Sequence, residues 1–349
     1  MKNKDLLNFT RLLSSLLNSG LVIGDAVMIL EESASESSCT TLAANLKASL
    51  EEGFSFYASM KKSEPDLPPF YLQLLAIGEE SGDLRLAVYK LNLFLSKRLL
   101  LKDKFINSAL YPLIVLIISF ASLFFIGIFV IPKITDIYSS IGVPLSPGFS
   151  FSISAVKMLS IIIPVGVLSL LLLTITFRLS GNRDGRSSIT KRWLKYSLPL
   201  KLPFAGEIIK TVHLFYILQS LETLTTCGAT VVEAIGETAG IYTIPVLQNE
   251  LKNIELNLRR GMKLSVAFSK SKIFPKEIAA WTALGEKTGK TAEVFGQLAT
   301  FYEKKLEKMS IRFMKLIEPV LIIFTGLLLL GMVYFIIIPI FTSFGQVLQ

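Results

Sequence analysis

One segment of this chain is written twice. Leu75-Ala76-Ile77-Gly78-Glu79-Glu80-Ser81-Gly82 returns as Ala283-Leu284-Gly285-Glu286-Lys287-Thr288-Gly289, and the correspondence runs far to either side. Gly20 answers to Gly228 and Gly53 to Gly261 at one spacing. Pro68, Glu79, Pro112 and Pro132 answer to Pro275, Glu286, Pro319 and Pro339 at a spacing one residue shorter. The slip falls in the loop around Lys61 to Pro65, where losing a residue costs little chain entropy. So long a period excludes a solenoid and indicates two copies of a whole unit.

The hydrophobic fraction, 51%, is too high for an ordinary soluble chain. The apolar residues gather in three uncharged runs: Leu113 to Ile131, about Met158 to Phe177, and Val320 to Ile338. Each is about 19–20 residues, which at about 1.5 Å per helical residue matches the hydrocarbon layer. The side chains of the first run favour insertion by roughly 5–9 kcal/mol. Three membrane-spanning helices are expected.

Lysine and arginine set the orientation. Lys97, Arg98, Lys102 and Lys104 precede the first run; Arg178, Arg183, Arg186, Lys191, Arg192 and Lys195 follow the second. Lys304, Lys305, Lys308, Arg312 and Lys315 precede the third, whereas the loop between the first two holds only Lys133 and Asp136. By the positive-inside rule both large domains are cytoplasmic. The N-terminus runs into a mixed-charge amphipathic helix and shows no cleavable signal peptide. Both copies place their soluble part before their span, so the middle span returns the chain between two parallel repeats.

The expected organisation is a first cytoplasmic domain at 1–109, a span at 110–132, an external loop at 133–152 and a span at 153–178. A linker at 179–203, a second cytoplasmic domain at 204–317, a span at 318–341 and an external tail at 342–349 follow. The linker contains the polar, glycine-rich Ser180–Arg186 stretch.

Each soluble copy reads as all helix. Leu6, Phe9, Leu13, Leu16 and Leu17 recur at three- and four-residue steps, and Gly20 stops that helix. Further helices end at Gly53 and near Gly78. Asp83 can cap a last helix that carries Leu84, Val88, Leu91, Leu95 and Leu99 on one face and continues past Pro112. Leu298, Phe301 and Leu306 match Leu91, Phe94 and Leu99 in the second copy. The predicted fold class is thus an all-α membrane protein: two repeated bundles of about six helices each, plus three transmembrane helices.

Charge is unevenly divided. Residues 1–109 carry 12 basic and 13 acidic side chains, whereas residues 178–317 carry 22 and 12. An acidic partner or anionic lipid would explain the excess, as would basic clusters placed at span boundaries. The two cysteines, Cys39 and Cys227, occupy non-equivalent repeat positions, and the single histidine, His213, lies on an apolar helix. No metal site of the usual Cys/His kind is expected within one chain, and no disulfide if both thiols face the cytosol.

The segment Gly285-Glu286-Lys287-Thr288-Gly289-Lys290-Thr291 looks like a phosphate-cradling loop. It has three residues between its glycines where four are needed, and no strand precedes it. The repeated Gly-Glu-x-Ser/Thr-Gly element (Gly78, Glu79, Ser81, Gly82 and Gly285, Glu286, Thr288, Gly289) instead predicts a corner between helices. Its second glycine permits a left-handed geometry, its hydroxyl bonds free backbone groups, and its glutamate is a polar latch or a partner contact. Glu31, Glu32, Glu51 and Glu52 are spaced as solvated helix faces. The spans contain no Asp, Glu, His or Arg, which disfavours an ion or proton path. No catalytic residue, cofactor or metal ligand is expected.

At these residues the chain resembles the type II secretion F family, the inner-membrane platform proteins of type II secretion, type IV pilus and competence-pilus machines. The resemblance rests on two copies of the corner, each followed by a long helix and a proline-started span (Pro112, Pro319), with Pro132 and Pro339 near the far ends. It implies a non-enzymatic platform in the cytoplasmic membrane that passes motion from a hexameric cytoplasmic ATPase to pilin or pseudopilin subunits. Other inner-membrane assembly proteins, the bilayer and further copies of the chain are implied partners, and nucleic acid is not bound directly. Gly127, Gly166, Gly326 and Gly331 could admit a pilin helix or another copy, or serve packing within the chain. The second corner carries Lys287 and Lys290 where the first has Glu80 and Asp83, which implies different surfaces for the two domains. A small transporter or permease subunit energised by a separate ATPase is the alternative, and it would require polar residues lining a path.

Overall fold

The computed structural model describes residues 3–33, 37–140, 205–242 and 244–334, with the single positions 154 and 158. Every regular element among them is helical. The expected second span, the linker, Gly166, Pro339 and the C-terminal tail lie outside the described residues.

One compact unit holds the described residues up to Asp103 and from Ala205 to Lys308. Its first half runs α1 (Asn3–Asn18), α2 (Ile23–Ser33), α3 (Ser37–Glu51), α4 (Phe56–Ser63), α5 (Pro69–Glu80) and the start of α6 (Leu84–Phe125). The short helices end where the sequence supplies a glycine with positive φ: Gly20 (91°) after α1, Gly53 (86°) after α3 and Gly82 (75°) after α5. An L side chain at such a position would crowd the following carbonyl. The apolar face of α1 places Leu6, Phe9, Leu13 and Leu17 in the core, while Leu12 on the opposite side is exposed. Tyr71 of α5 is buried beside them, its hydroxyl 3.0 Å from that of Thr10.

The second half runs α8 (Ala205–Thr226), α9 (Val231–Ile241), α10 (Pro245–Arg259), α11 (Leu264–Ser269), α12 (Lys276–Thr288) and the start of α13 (Thr291–Met332). Its positive-φ glycines are Gly228, Gly261 and Gly289, the repeat counterparts of Gly20, Gly53 and Gly82. Thr230 and Glu233 form a reciprocal capping box at the start of α9, satisfying two N–H groups that have no partner inside the helix. His213 of α8 packs edge-on to Tyr242, whose hydroxyl donates to the His213 carbonyl at 3.2 Å. Burial holds the imidazole pKa below its ordinary value.

The other unit holds the described residues from Lys104 to Ser140 and from Met309 onward. Helix α6 continues through Pro112 to Phe125, passes through a π-helical turn at Ile126–Val130, and resumes as α7 (Ile131–Ser140). The sequence predicts a loop from residue 133, yet helix persists to Ser140. The wide turn, in which the Ile131 N–H bonds the carbonyl of Ile126, makes room for Pro132, which lacks a donor and would clash in a regular helix. Gly127 is buried within that turn. Phe120 and Phe324 meet edge-to-face at 6.1 Å, and the hydroxyls of Ser108 and Ser310 are 3.2 Å apart. Most large apolar side chains here are exposed, Ile118 at 60% and Leu330 at 65%. The runs Leu84–Ile137 and Thr291–Gly331 are long and apolar enough to cross a membrane.

The paired corners as the candidate functional site

Helices α5 and α12 each deliver one glutamate to the start of a neighbouring short helix. Glu79 accepts from the backbone N–H of Phe56 and, at 3.3 Å, of Tyr57, the first residues of α4. Glu286 accepts from Leu264 N–H and, at 3.1 Å, from Ser265 N–H, the first residues of α11, and the Ser265 hydroxyl donates to it at 2.6 Å. The N–H groups of a helix's first turn have no partner inside the helix, so a carboxylate there satisfies donors and meets the positive end of the dipole. Burial opposes ionisation of Glu286. The hydrogen bonds from Ser265 and Leu264, with the charge of Lys263, outweigh it and hold the carboxyl below its ordinary range.

The two glycines of each corner do different things. Gly82 and Gly289 adopt positive φ and turn the chain. After α12 the N–H groups of Gly289 and Lys290 both bond the Gly285 carbonyl, closing the helix end. Gly78 and Gly285 are ordinary in φ but buried, because α6 and α13 pack directly over them. A Cβ on Gly78 would overlap Ala87 Cβ, and one on Gly285 would lie 3.1 Å from Val294 Cγ2. Sequence reasoning assigned the corner's conformational demand to the second glycine and missed the close approach at the first. The hydroxyls stay local: Ser81 donates to the Gly78 carbonyl at 3.4 Å and Thr288 to the Leu284 carbonyl at 2.9 Å.

Beyond this shared geometry the corners diverge. Asp83 caps α6 by accepting from Leu86 N–H at 3.0 Å, whereas Lys290, its counterpart, offers no acceptor and reaches Glu293 instead. Ser81 lies against the α8–α9 turn of the second copy, where a Cβ on Gly228 would be 3.6 Å from Ser81 Cβ. Exposure does not separate the corners: Glu80, Ser81, Gly82 and Asp83 are exposed, as are Lys287, Thr288, Gly289 and Lys290.

The copies are also clasped by residues for which the repeat gave no cue. Lys90 of α6 pairs with Glu222 of α8 at 2.6 Å, and Lys97 with Glu303 of α13 at 3.1 Å. The Arg98 guanidinium sits 5.5 Å from the centre of the Tyr216 ring. Lys90, Glu222 and Glu303 have Gln297, Ser14 and Ser96 as their repeat counterparts. Charges that the duplication fails to copy were the available signal. Both cysteines are buried and neither forms a disulfide. Among the described residues, no group of three or more His, Cys, Asp or Glu side chains gathers to hold a metal ion.

Two membrane-length helices, each entered through the same corner, define a duplicated membrane protein. The family model of the type II secretion system (T2SS), protein F, matches twice, over residues 9–132 and 217–339, and the chain belongs to this family. Those matches include Gly78–Gly82 and Gly285–Gly289 and the boundary prolines Pro112, Pro132, Pro319 and Pro339. A type IV pilus assembly protein PilC from Thermus thermophilus is 26% identical over 98% of this chain and 83% of its own length. PilC of Pseudomonas aeruginosa is 24% identical over 98% and 90%, and the type II secretion system protein F of the same organism 24% over 97% and 82%. Family membership and the two apolar helices make this an inner-membrane protein.

Proposed function

We propose that this chain is a non-enzymatic platform in the inner membrane on which a pilus or pseudopilus is assembled. Two repeated cytoplasmic bundles and three spans make up the platform. It takes motion from a hexameric cytoplasmic ATPase and passes it to pilin-like subunits. The observation that carries this reading is the double family match, with each matched half running from a helical bundle through a Gly-Glu corner into a helix of spanning length. Pilus assembly and secretion are in the names of the relatives. Two such helices entered in the same sense require a return between them, which the apolar run at 158–177 is long enough to provide.

The corners are the surfaces we assign to partners. Deleting the gene should abolish surface filaments or secretion, and the tagged chain should co-purify with the ATPase. Photo-crosslinkers at exposed Glu80 and Lys287 should capture different neighbours. Reporter fusions after residues 103 and 308 should both read cytosolic; opposite sides for these two sites would sink the reading.

A further inference from the structure

Between α6, α8 and α13, inside the first compact unit, lies a cavity of about 620 Å³. Both repeats line it: Lys90, Leu93 and Lys97 come from α6, Gln219 and Glu222 from α8, and Phe301 and Lys304 from α13. Its volume falls within the range of small-ligand sites.

Three features of the lining are unsatisfied. Gln219 is 4% exposed and its Oε1 has no hydrogen-bond partner. A buried amide oxygen left this way costs free energy comparable to a lost hydrogen bond. Most of the charges in the cavity are matched: Lys90 by Glu222, Lys97 by Glu303, and Glu293 by Lys290. Lys304, on the same wall, has no such partner among the described residues. Finally, Phe301 is 48% exposed, whereas its repeat counterpart Phe94 is buried against Phe70 with ring centres 4.2 Å apart. Glu277 stands where a second Phe70 would be, so the Phe301 ring is left facing open space.

A ligand completing this lining brings an anion to Lys304, a hydrogen-bond donor to Gln219 and a flat apolar face to Phe301. We propose that the cavity binds a soluble phosphate monoester of mononucleotide size, with its phosphate at Lys304 and a planar, N–H-bearing ring between Phe301 and Gln219. Because the walls belong to both repeats, an occupied cavity ties the two copies together, and occupancy raises the melting temperature of the unit by mass action. The inference uses residues outside the corners and does not depend on the platform reading.

The test uses the full chain in lipid nanodiscs, with AMP as probe and adenosine and ribose 5-phosphate as half-ligands, read by calorimetric titration. AMP is expected to bind saturably, with each half-ligand at least about tenfold weaker. Lys304→Ala should remove the preference for AMP over adenosine, and Phe301→Ala the preference for AMP over ribose 5-phosphate. Both positions are exposed, so neither variant threatens the fold. No saturation by AMP up to about 10 mM, equal binding of all three probes, or AMP affinity indifferent to Lys304→Ala overturns the proposal. Any of these outcomes would leave filament assembly, tested by deletion, untouched.

Discussion

Lys90 Nζ lies 2.6 Å from Glu222 Oε1, and neither residue has a charged counterpart in the other copy. Their side chains are only 17% and 22% exposed, so the pair is shielded from water at the seam between the repeats. A charge held there is stable only while its partner is present.

Removing one partner should therefore cost more than removing both. Lys90→Met or Glu222→Leu alone is expected to destabilise by about 1–3 kcal/mol, and the two together by less than either alone. Thermal melts of the four proteins in detergent, read as a double-mutant cycle, check this. Additive losses would mean that the pair is not coupled.

Gly78→Ala should be more harmful than its repeat counterpart Gly285→Ala. The first introduces a methyl into the space of Ala87 Cβ, whereas the second meets Val294 Cγ2 at 3.1 Å and the Thr291 Cα at 3.2 Å, a milder crowding that a shift of a few tenths of an ångström relieves. A loss of about 1–3 kcal/mol is expected at Gly78, with partial rescue by Ala87→Gly. Circular dichroism melts of the single and double variants measure it.

The carboxylate of Glu286 contributes stability with a definite pH dependence. Its folded pKa lies below the ordinary 4.5. Its contribution is complete above that ordinary value and is lost as pH falls through the lower folded value. Glu286→Gln should lower the melting temperature at pH 7, and the gap from the native chain should close as the medium is acidified through that window. A gap that persists unchanged at low pH would show that charge is not what the latch uses.

Cys227 should be nearly inert in the folded chain. Burial pushes its thiol up to about 11, with Lys90 opposing the shift and the carboxylates of Glu222 and Asp83 adding to it. Maleimide labelling at neutral pH is expected to be slow until a denaturant is added. Lys90→Ala, which removes the charge opposing that shift, should slow it further in the folded chain.

The repeat, the helical class and the turn positions were legible in the sequence because each depends on local chemistry. Gly20, Gly53 and Gly82, with Gly228, Gly261 and Gly289, mark backbone conformations that only glycine adopts readily, so they show wherever the pattern repeats. The apolar runs beginning near Leu113 and Val320 are likewise visible, since spanning length is a property of consecutive residues. Tertiary structure alone decided the acceptor role of Glu79 toward Phe56 and the packing demand on Gly78, for the partners in both cases come from other helices. It alone also decided which faces of two similar bundles meet. Duplication copies a fold but not a relative placement, and Lys90, Glu222, Lys97 and Glu303, three of them without a charged counterpart in the other copy, are where that placement is held.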